Sequence, residues 1–299
     1  MLTCQHFVSG IGQYGYHLSK HLRDQGLCVN LYKPGKSGHA DQHFDQLPWI
    51  HPVSYRSFRG LHPYLLPLYL ASRLKSGKNT LLHGHWFMSG LAASFRSRKC
   101  VVTMHDVSLL HIKERNGLYE RYYRFAIDRF KKMNLPVITV SEKARQDAIE
   151  FAGLHERQVF AVHNGIDTER FFPVEATGKP KGDKPFTIVY AGGLGPRKNL
   201  SLLLHAYGQL LQQYTFLQLK IAGGWPENTP WPAMAHNLGL KNVTFTGFIP
   251  DHLMGDFYRN ADLFIYPSTY EGFGFAPLEA MACGVPVLSA SGGALAETA

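Results

Sequence analysis

The sequence predicts an α/β protein built from two Rossmann-like domains. Short β-branched runs alternate with longer amphipathic ones, the alternation stops at a stretch rich in Pro, Gly and Lys, and it then restarts with the same rhythm. The 299-residue length suits two domains, placed here at residues 1–170 and 171–299.

In the first half, LCVNLY (27–32), NTLLH (79–83), CVVTMH (100–105) and PVITVS (136–141) read as buried strands. Helical patterns fall between and after them over 12–25, 117–132 and 142–152, with Ser141 as N-cap of the last and Gly153 as its stop. PVEATGKPKGDKP (173–185) reads as a linker. The second half gives strands in FTIVYAGG (186–193), FLQLKIAGG (216–224), NVTFTG (242–247), ADLFIYPS (261–268) and VPVLSA (285–290), with a helix over 199–213. Alternation of this kind implies parallel sheets covered on both faces, and ligands outside the carboxyl ends of the strands. Two such domains joined by one linker are expected to face a central cleft.

Composition removes several function classes. No run is long and apolar enough to span a bilayer; the nearest, LHPYLLPLYLASRL (61–74), is short and holds Pro63 and Pro67. No basic-then-apolar leader opens the sequence, and Cys4, Cys28, Cys100 and Cys283 have no paired spacing, which predicts free thiols in a reducing cytoplasm. The formal charge of +9 favours acidic partners. No zinc-finger spacing or aromatic RNA-binding strand is present, so phosphate-bearing small molecules and anionic membrane are expected, and nucleic acid is not. Arg56, Arg59, Arg73, Lys75 and Lys78 flank 61–74, which reads equally as a helix docked on anionic lipid and as a packed helix with a solvated basic rim.

The chemistry concentrates in YEGFGFAPLEAMACGVPV (270–287). Pro277 suits the first position of a helix, Gly284 the left-handed position after it, and Pro286 blocks continuation. That would put Glu279 in the first turn, where its charge favours the helix dipole. Glu271 lies before Gly272-Phe273-Gly274, where the backbone approaches a ligand closely, and acidic side chains there accept hydrogen bonds from sugar hydroxyls. In YAGGLGPRKNL (190–200) a strand ends in Gly192-Gly193, turns through Gly195-Pro196 and enters a helix near Asn199. Lys198 and Arg197 at this turn suit a developing negative charge; the plainer account of Lys198 is a basic helix start in solvent. His105 ends its strand, and His83 and His85 alternate on theirs. A satisfied strand-end histidine is the plainer account of His105. No Asp-x-Asp or Cys ligand completes a metal set with these histidines. His17 and His21 share a helix face with no Glu between them and read as solvated positions.

PSTYEGFGFAPLEAMACGVPVLSA closely resembles the donor-site signature of the retaining family 4 glycosyltransferases, of GT-B fold, whose two glutamates separated by seven residues match Glu271 and Glu279. SGIGQYGYHLSKHL, VVTMHDVS, VITVSEKARQD, VHNGIDTERFFP and YAGGLGPRKNL are similar to further family segments, in the family's order, over almost the whole sequence. The resemblance implies a nucleoside-diphosphate sugar as donor, Gly10, Gly12, Gly193, Arg197 and Lys198 near its diphosphate, and Glu271, Gly272, Phe273, Gly274 and Glu279 near its sugar and ribose. It implies His105 beside the anomeric centre, His83 and His85 on the acceptor side, and no metal or other cofactor. It further implies hexose transfer to a glycan or lipid-linked acceptor in polysaccharide biosynthesis, with mannose as the leaning, by a cytoplasmic protein on the inner face of the membrane. Many family members carry Arg where Gly193 stands, with Arg197 as the candidate replacement. The sequence starts almost at the Gly10 loop and stops at GGALAETA, so the usual first strand and C-terminal helices are expected to be lacking. The competing expectations are a non-catalytic, sugar-nucleotide-binding partner subunit and a sugar-nucleotide epimerase of the same fold.

Overall fold

A computed structural model describes residues 1–3, 10–35, 46–53, 62–75, 77–111, 117–174 and 185–299. Cys4, Arg56, Arg59 and linker residues 175–184 lie outside the described residues. The chain divides into one compact unit over Met1–His163 and another over Asn164–Ala299.

The first unit runs α1 (Gly10–Asp24), β1 (Leu31–Pro34), β2 (Ile50–Val53), α2 (His62–Arg73), β3 (Leu82–Gly84), α3 (Phe87–Arg96) and β4 (Cys100–Met104). It continues through a single turn α4 (Ser108–His111), α5 (Gly117–Lys132), β5 (Val137–Thr139), α6 (Glu142–Glu150) and β6 (Val159–Ala161). Strands β3 to β6 pair in parallel in sequence order, and β1 pairs in parallel with β2. Residues 1–3 join the two sets. Leu2 N–H donates to the His83 carbonyl at 2.7 Å and Thr3 N–H to that of Tyr32 at 2.9 Å, so Leu2 bridges both neighbouring strands. The place expected to lack a first strand is therefore held by a short backbone bridge. All these pairings are parallel, and the order of strand addition changes side about the bridge, with β1 and β2 on one side and β3 to β6 on the other.

Leu66 and Leu70 of α2, Phe87 and Leu91 of α3, Val102 and Met104 of β4, and Tyr123 and Phe130 of α5 form the core. Helix α3 packs tightly on the sheet: a Cβ on Gly90 would sit 2.7 Å from a Val102 methyl. Helix α6 begins as expected, with the Ser141 hydroxyl accepting from Ala144 N–H at 3.0 Å.

The second unit runs β7 (Phe186–Ala191), α7 (Leu200–Leu211), β8 (Leu217–Ala222), α8 (Trp231–Asn237), β9 (Val243–Gly247) and α9 (Asp251–Arg259). Then come β10 (Leu263–Tyr266), α10 (Phe275–Ala282), β11 (Val287–Ser289) and α11 (Leu295–Thr298). Its five-stranded sheet is parallel in the order β11-β10-β7-β8-β9. From β7 the chain winds outward through β8 and β9, then returns to place β10 on the other side of β7. In open α/β sheets, the loops leaving two such neighbours diverge and leave a crevice at the strand ends.

One boundary differs from expectation. Helix α10 starts at Phe275, because Gly274 takes a left-handed conformation (φ +96°) that turns the chain into the helix two residues before Pro277. Pro277 thus occupies the third helical position, still within the turn where a missing N–H costs no intrahelical bond. Glu279 falls in the second turn, away from the helix terminus. Gly284 (φ +77°) ends the segment as expected.

Candidate active site

The loops leaving the carboxyl ends of neighbouring strands β7 and β10 bring together the two stretches singled out in the second half of the sequence. The β7 loop, after Ala191, carries Gly192, Gly193, Arg197 and Lys198; the β10 loop, after Tyr266, carries Ser268, Glu271 and Gly272–Gly274. Backbone contacts zip the loops together. Thr269 N–H donates to the Arg197 carbonyl at 2.8 Å, and the Arg197 guanidinium donates to the Tyr270 carbonyl at 2.6 Å. Gly292 and Gly293 brace the β10 loop from beyond: Ala294 N–H donates to the Glu271 carbonyl at 2.8 Å, and a Cβ on Gly293 would overlap the Glu271 backbone.

At the centre, the Glu271 carboxylate pairs with Lys198 Nζ through Oε1 and with the Arg197 guanidinium through Oε2 at 3.0 Å. The Ser268 hydroxyl donates to Oε1 at 2.6 Å and the Tyr266 hydroxyl at 3.1 Å. Glu271 is 7% exposed and Lys198 9%, so the pair is desolvated on both sides. Burial alone pushes the Glu271 carboxyl up, but the Lys198 and Arg197 charges and the hydrogen bonds outweigh it and hold it below the usual range. Two cations on one braced loop thus share the Glu271 carboxylate of the other. The sequence placed the cations and Glu271 on different parts of one ligand; the structure also ties them to each other.

Glu279 lies elsewhere, on α10. Its carboxylate accepts from the Tyr258 hydroxyl at 2.8 Å, and burial pushes its pKa up, with the Tyr258 bond and the Arg170 charge only partly offsetting. The expected dipole stabilisation of Glu279 is overturned by its second-turn position and its burial. A carboxyl raised by folding adds stability that is fully present below its unfolded value of about 4.3 and lost as pH rises through the folded value. Glu279→Gln, which keeps an acceptor for Tyr258, is therefore expected to melt higher than the parent at neutral pH, with the gap closing in acid. Melting curves from about pH 4 to 8 check this; a lower melting temperature for the variant at neutral pH would restore the dipole account.

In the first unit, His83, His85 and His105 cluster at the carboxyl ends of β3 and β4. His83 and His85 have ring centroids 4.4 Å apart, and Tyr14 of α1 meets His85 at 5.3 Å and His105 at 4.8 Å, both edge-on. His83 Nε2 shares a 2.8 Å hydrogen bond with the Thr103 hydroxyl. Both ring nitrogens of His85 and Nε2 of His105 are buried without a hydrogen-bond partner. Burial, and then His83, lower the His105 pKa to about 3; burial, and then the N-terminal ammonium, lower that of His83 to about 4. His85 is fully buried. The imidazoles are neutral at physiological pH. No cluster of three or more His, Cys, Asp or Glu side chains suited to a metal occurs among the described residues. Gly10 and Gly12 lie inside the first turn of α1 rather than on a loop before it, and residues 4–9 lie outside the described residues.

Sequence reasoning missed Tyr190, Ser268, Tyr266, Gly292 and Gly293. The signals for the first three are hydroxyls at strand ends beside a predicted cation; the glycine pair signalled only a turn.

These two units define a protein of two Rossmann-like folds with a buried Lys198–Arg197–Glu271 cluster at the strand ends of the second. Residues 174–299 match the family described as "Glycosyl transferases group 1" and residues 8–170 match "Glycosyltransferase Family 4". The chain belongs to the family 4 glycosyltransferases and is a transferase of GT-B fold. Among relatives, it is 27% identical to an O-antigen chain mannosyltransferase B of Escherichia coli, over 94% of this chain and 78% of that one. It is 26% identical to a D-inositol 3-phosphate glycosyltransferase of Geodermatophilus obscurus, over 96% and 71%. It spans only 25% of a serotype-specific mannosyltransferase WbdA of Escherichia coli, at 28% identity over 64% of this chain. Solved structures of similar fold include sucrose-phosphate synthase of Thermosynechococcus elongatus (TM-score 0.77, 20% identity, 98% of this chain and 82% of that one). Another is HepE of Anabaena in complex with UDP and glucose (TM-score 0.76, 21% identity, 99% and 82%).

Proposed function

We propose that the chain moves a hexose, mannose in the first instance, from a nucleoside-diphosphate sugar to a glycan or lipid-linked acceptor, with retention of anomeric configuration. The observation that carries the reading is the Lys198–Arg197–Glu271 cluster at the strand ends of the second unit. Breaking the bond between the anomeric carbon and the phosphate oxygen leaves negative charge on a diphosphate, and fixed cations in a buried site stabilise that charge without reorganising. Glu271 orients the cations and accepts from sugar hydroxyls, and Glu279 reads the ribose. His105, neutral and with Nε2 unpartnered, serves the sugar at the anomeric centre; His83 and His85 shape the acceptor side behind it. Mannose is favoured by the presence of mannosyltransferases among the relatives.

The test is a panel of radiolabelled nucleoside-diphosphate sugars incubated with the protein and membrane extract, with and without chelator. Label is expected to pass from one donor into glycan or lipid, at a rate the chelator leaves unchanged, because Lys198 and Arg197 supply the neutralising charge. No transfer from any donor would sink the reading, and loss of transfer on chelation would sink its metal-free part.

The membrane proposal is a peripheral contact on the cytoplasmic face. Helix α2 sends Leu66 and Leu70 into the core and leaves Leu68 exposed, beside exposed Arg73, Lys75 and Lys78, and no helix among the described residues is long and apolar enough to cross a membrane. Any lipid contact at α2 therefore rests on charge rather than on its apolar stripe. Binding to anionic liposomes is expected to fall steeply as salt rises toward physiological strength, where screening reaches about 8 Å. Equal binding to neutral and anionic vesicles, or none, would leave α2 as a packed helix alone.

A further inference from the structure

Two stacked tyrosines adjoin the cationic cluster. Tyr190, at the end of β7, and Tyr266, at the end of β10, are 0% and 3% exposed, with ring centroids 5.7 Å apart and planes 16° apart. Phe264 stacks on Tyr266 as well, at 5.8 Å. The Tyr190 hydroxyl donates to the Gly193 carbonyl at 2.6 Å, which ties it to the β7 loop. The Tyr266 hydroxyl sits between the two halves of the ion pair: it accepts from Lys198 Nζ at 2.7 Å and donates to Glu271 Oε1 at 3.1 Å. Lys198 Nζ also lies 5.1 Å from the Tyr266 ring centre.

Buried Tyr207 of this unit does something plainer. Its hydroxyl donates to the Leu217 carbonyl at 3.1 Å, well away from the loops. A lysine ammonium rides on four flexible carbons and has no preferred direction of its own. Two acceptors at fixed places, one on a rigid stacked ring and one on a braced carboxylate, give it one.

We propose that Tyr266 is a positioning residue for glycosyl transfer, its hydroxyl aiming the Lys198 ammonium and holding Glu271 in register with it. The inference rests on the reading of Lys198 as the cation that meets the leaving diphosphate. Burial, and then the Glu271 charge, hold the Tyr266 phenol far above the working pH, so it remains an O–H donor to Glu271 throughout. A misdirected cation costs most where charge develops, so the effect belongs in turnover rather than in donor binding.

A double-mutant cycle on the full chain tests it, with nucleoside diphosphate release followed for the donor that the panel selects. Tyr266→Phe keeps the stacked ring and removes only the hydroxyl. It is expected to lower kcat by about tenfold or more, with the donor KM within about threefold of the parent. Because Tyr266 acts through Lys198, adding Tyr266→Phe to Lys198→Ala is expected to cost less than about threefold more. Parental kcat in Tyr266→Phe, a loss seen only in melting temperature, or full multiplication of the two effects would each overturn the inference. If Lys198→Ala itself keeps parental kcat, the reading of Lys198 has failed and the inference with it; if only Tyr266→Phe is silent, the inference alone has failed. Should the Phe variant not fold, 3,5-difluorotyrosine at 266 keeps ring and hydroxyl and weakens the oxygen as an acceptor. A fall in kcat at constant KM is then expected, and parental kcat overturns the proposal.

Discussion

Lys198→Ala is expected to lower turnover by one to three orders of magnitude, roughly the range for losing a single preorganised contact to transition-state charge. The ammonium sits at the end of a glycine turn, 9% exposed, and is held by Glu271 and Tyr266. On the proposed reading it meets charge that is larger in the transition state than in the bound donor, so kcat and kcat/KM are expected to fall together while the donor KM moves less. The variant also leaves Glu271 ion-paired with Arg197 at 3.0 Å without the Lys198 ammonium, and removing half of a buried pair destabilises. Folded fraction is therefore measured by melting alongside the kinetics. Unchanged kcat and kcat/KM in folded protein would reject the assignment.

The second large effect is at Glu271. Glu271→Gln removes one full negative charge from between two cations, so the affinity for a nucleoside diphosphate is expected to hold or rise. Transfer is expected to fall by roughly two orders of magnitude, because the cations lose their orientation and the sugar loses an acceptor. Calorimetry with nucleoside diphosphate, beside transfer rates with intact donor, separates the two. Glu279→Gln, by losing the ribose contact, is expected to weaken nucleoside diphosphate binding; an equal loss in Glu271→Gln, or transfer by it at the parental rate, would end the proposed division between the glutamates. The pH behaviour follows the same contact. The carboxyl is held low by Lys198 and Arg197, so its stabilising contribution is fully present above the unfolded value of about 4.3 and is lost as pH falls through the lower folded value.

Much of this architecture is legible in the sequence because parallel α/β units repeat their signals. Strands such as Cys100–Met104 and Phe186–Ala191 are buried apolar runs, and Ser141 and Gly153 mark helix ends by local chemistry. Helix Phe87–Arg96 carried no such signal: every residue from Phe87 to Ser94 is buried, so no polar face shows its period. The strands Ile50–Val53 and Val159–Ala161 are too short to stand out from their surroundings. The start of α10 was misplaced because Pro277 is tolerated throughout a first turn, while the turn itself is set by the left-handed Gly274. At the site, the cations and both glutamates could be named from local spacing. The pairing of Tyr266 with Lys198 could not, because it spans 68 positions of sequence and only strand order makes them neighbours. The burial of His85 likewise depends on Tyr14 of a distant helix.

The central claim is that the crevice between β7 and β10 holds the diphosphate of a sugar-nucleotide donor. Calorimetry with paired nucleoside diphosphates and monophosphates, for several bases, on the parent and on Lys198→Ala, tests it without knowledge of the acceptor. The account predicts that at least one diphosphate binds about tenfold or more tightly than its own monophosphate, a margin of roughly 1.4 kcal/mol, and that Lys198→Ala erases most of that margin. Equal affinity for diphosphate and monophosphate in the parent, or an undiminished margin in the variant, would contradict it.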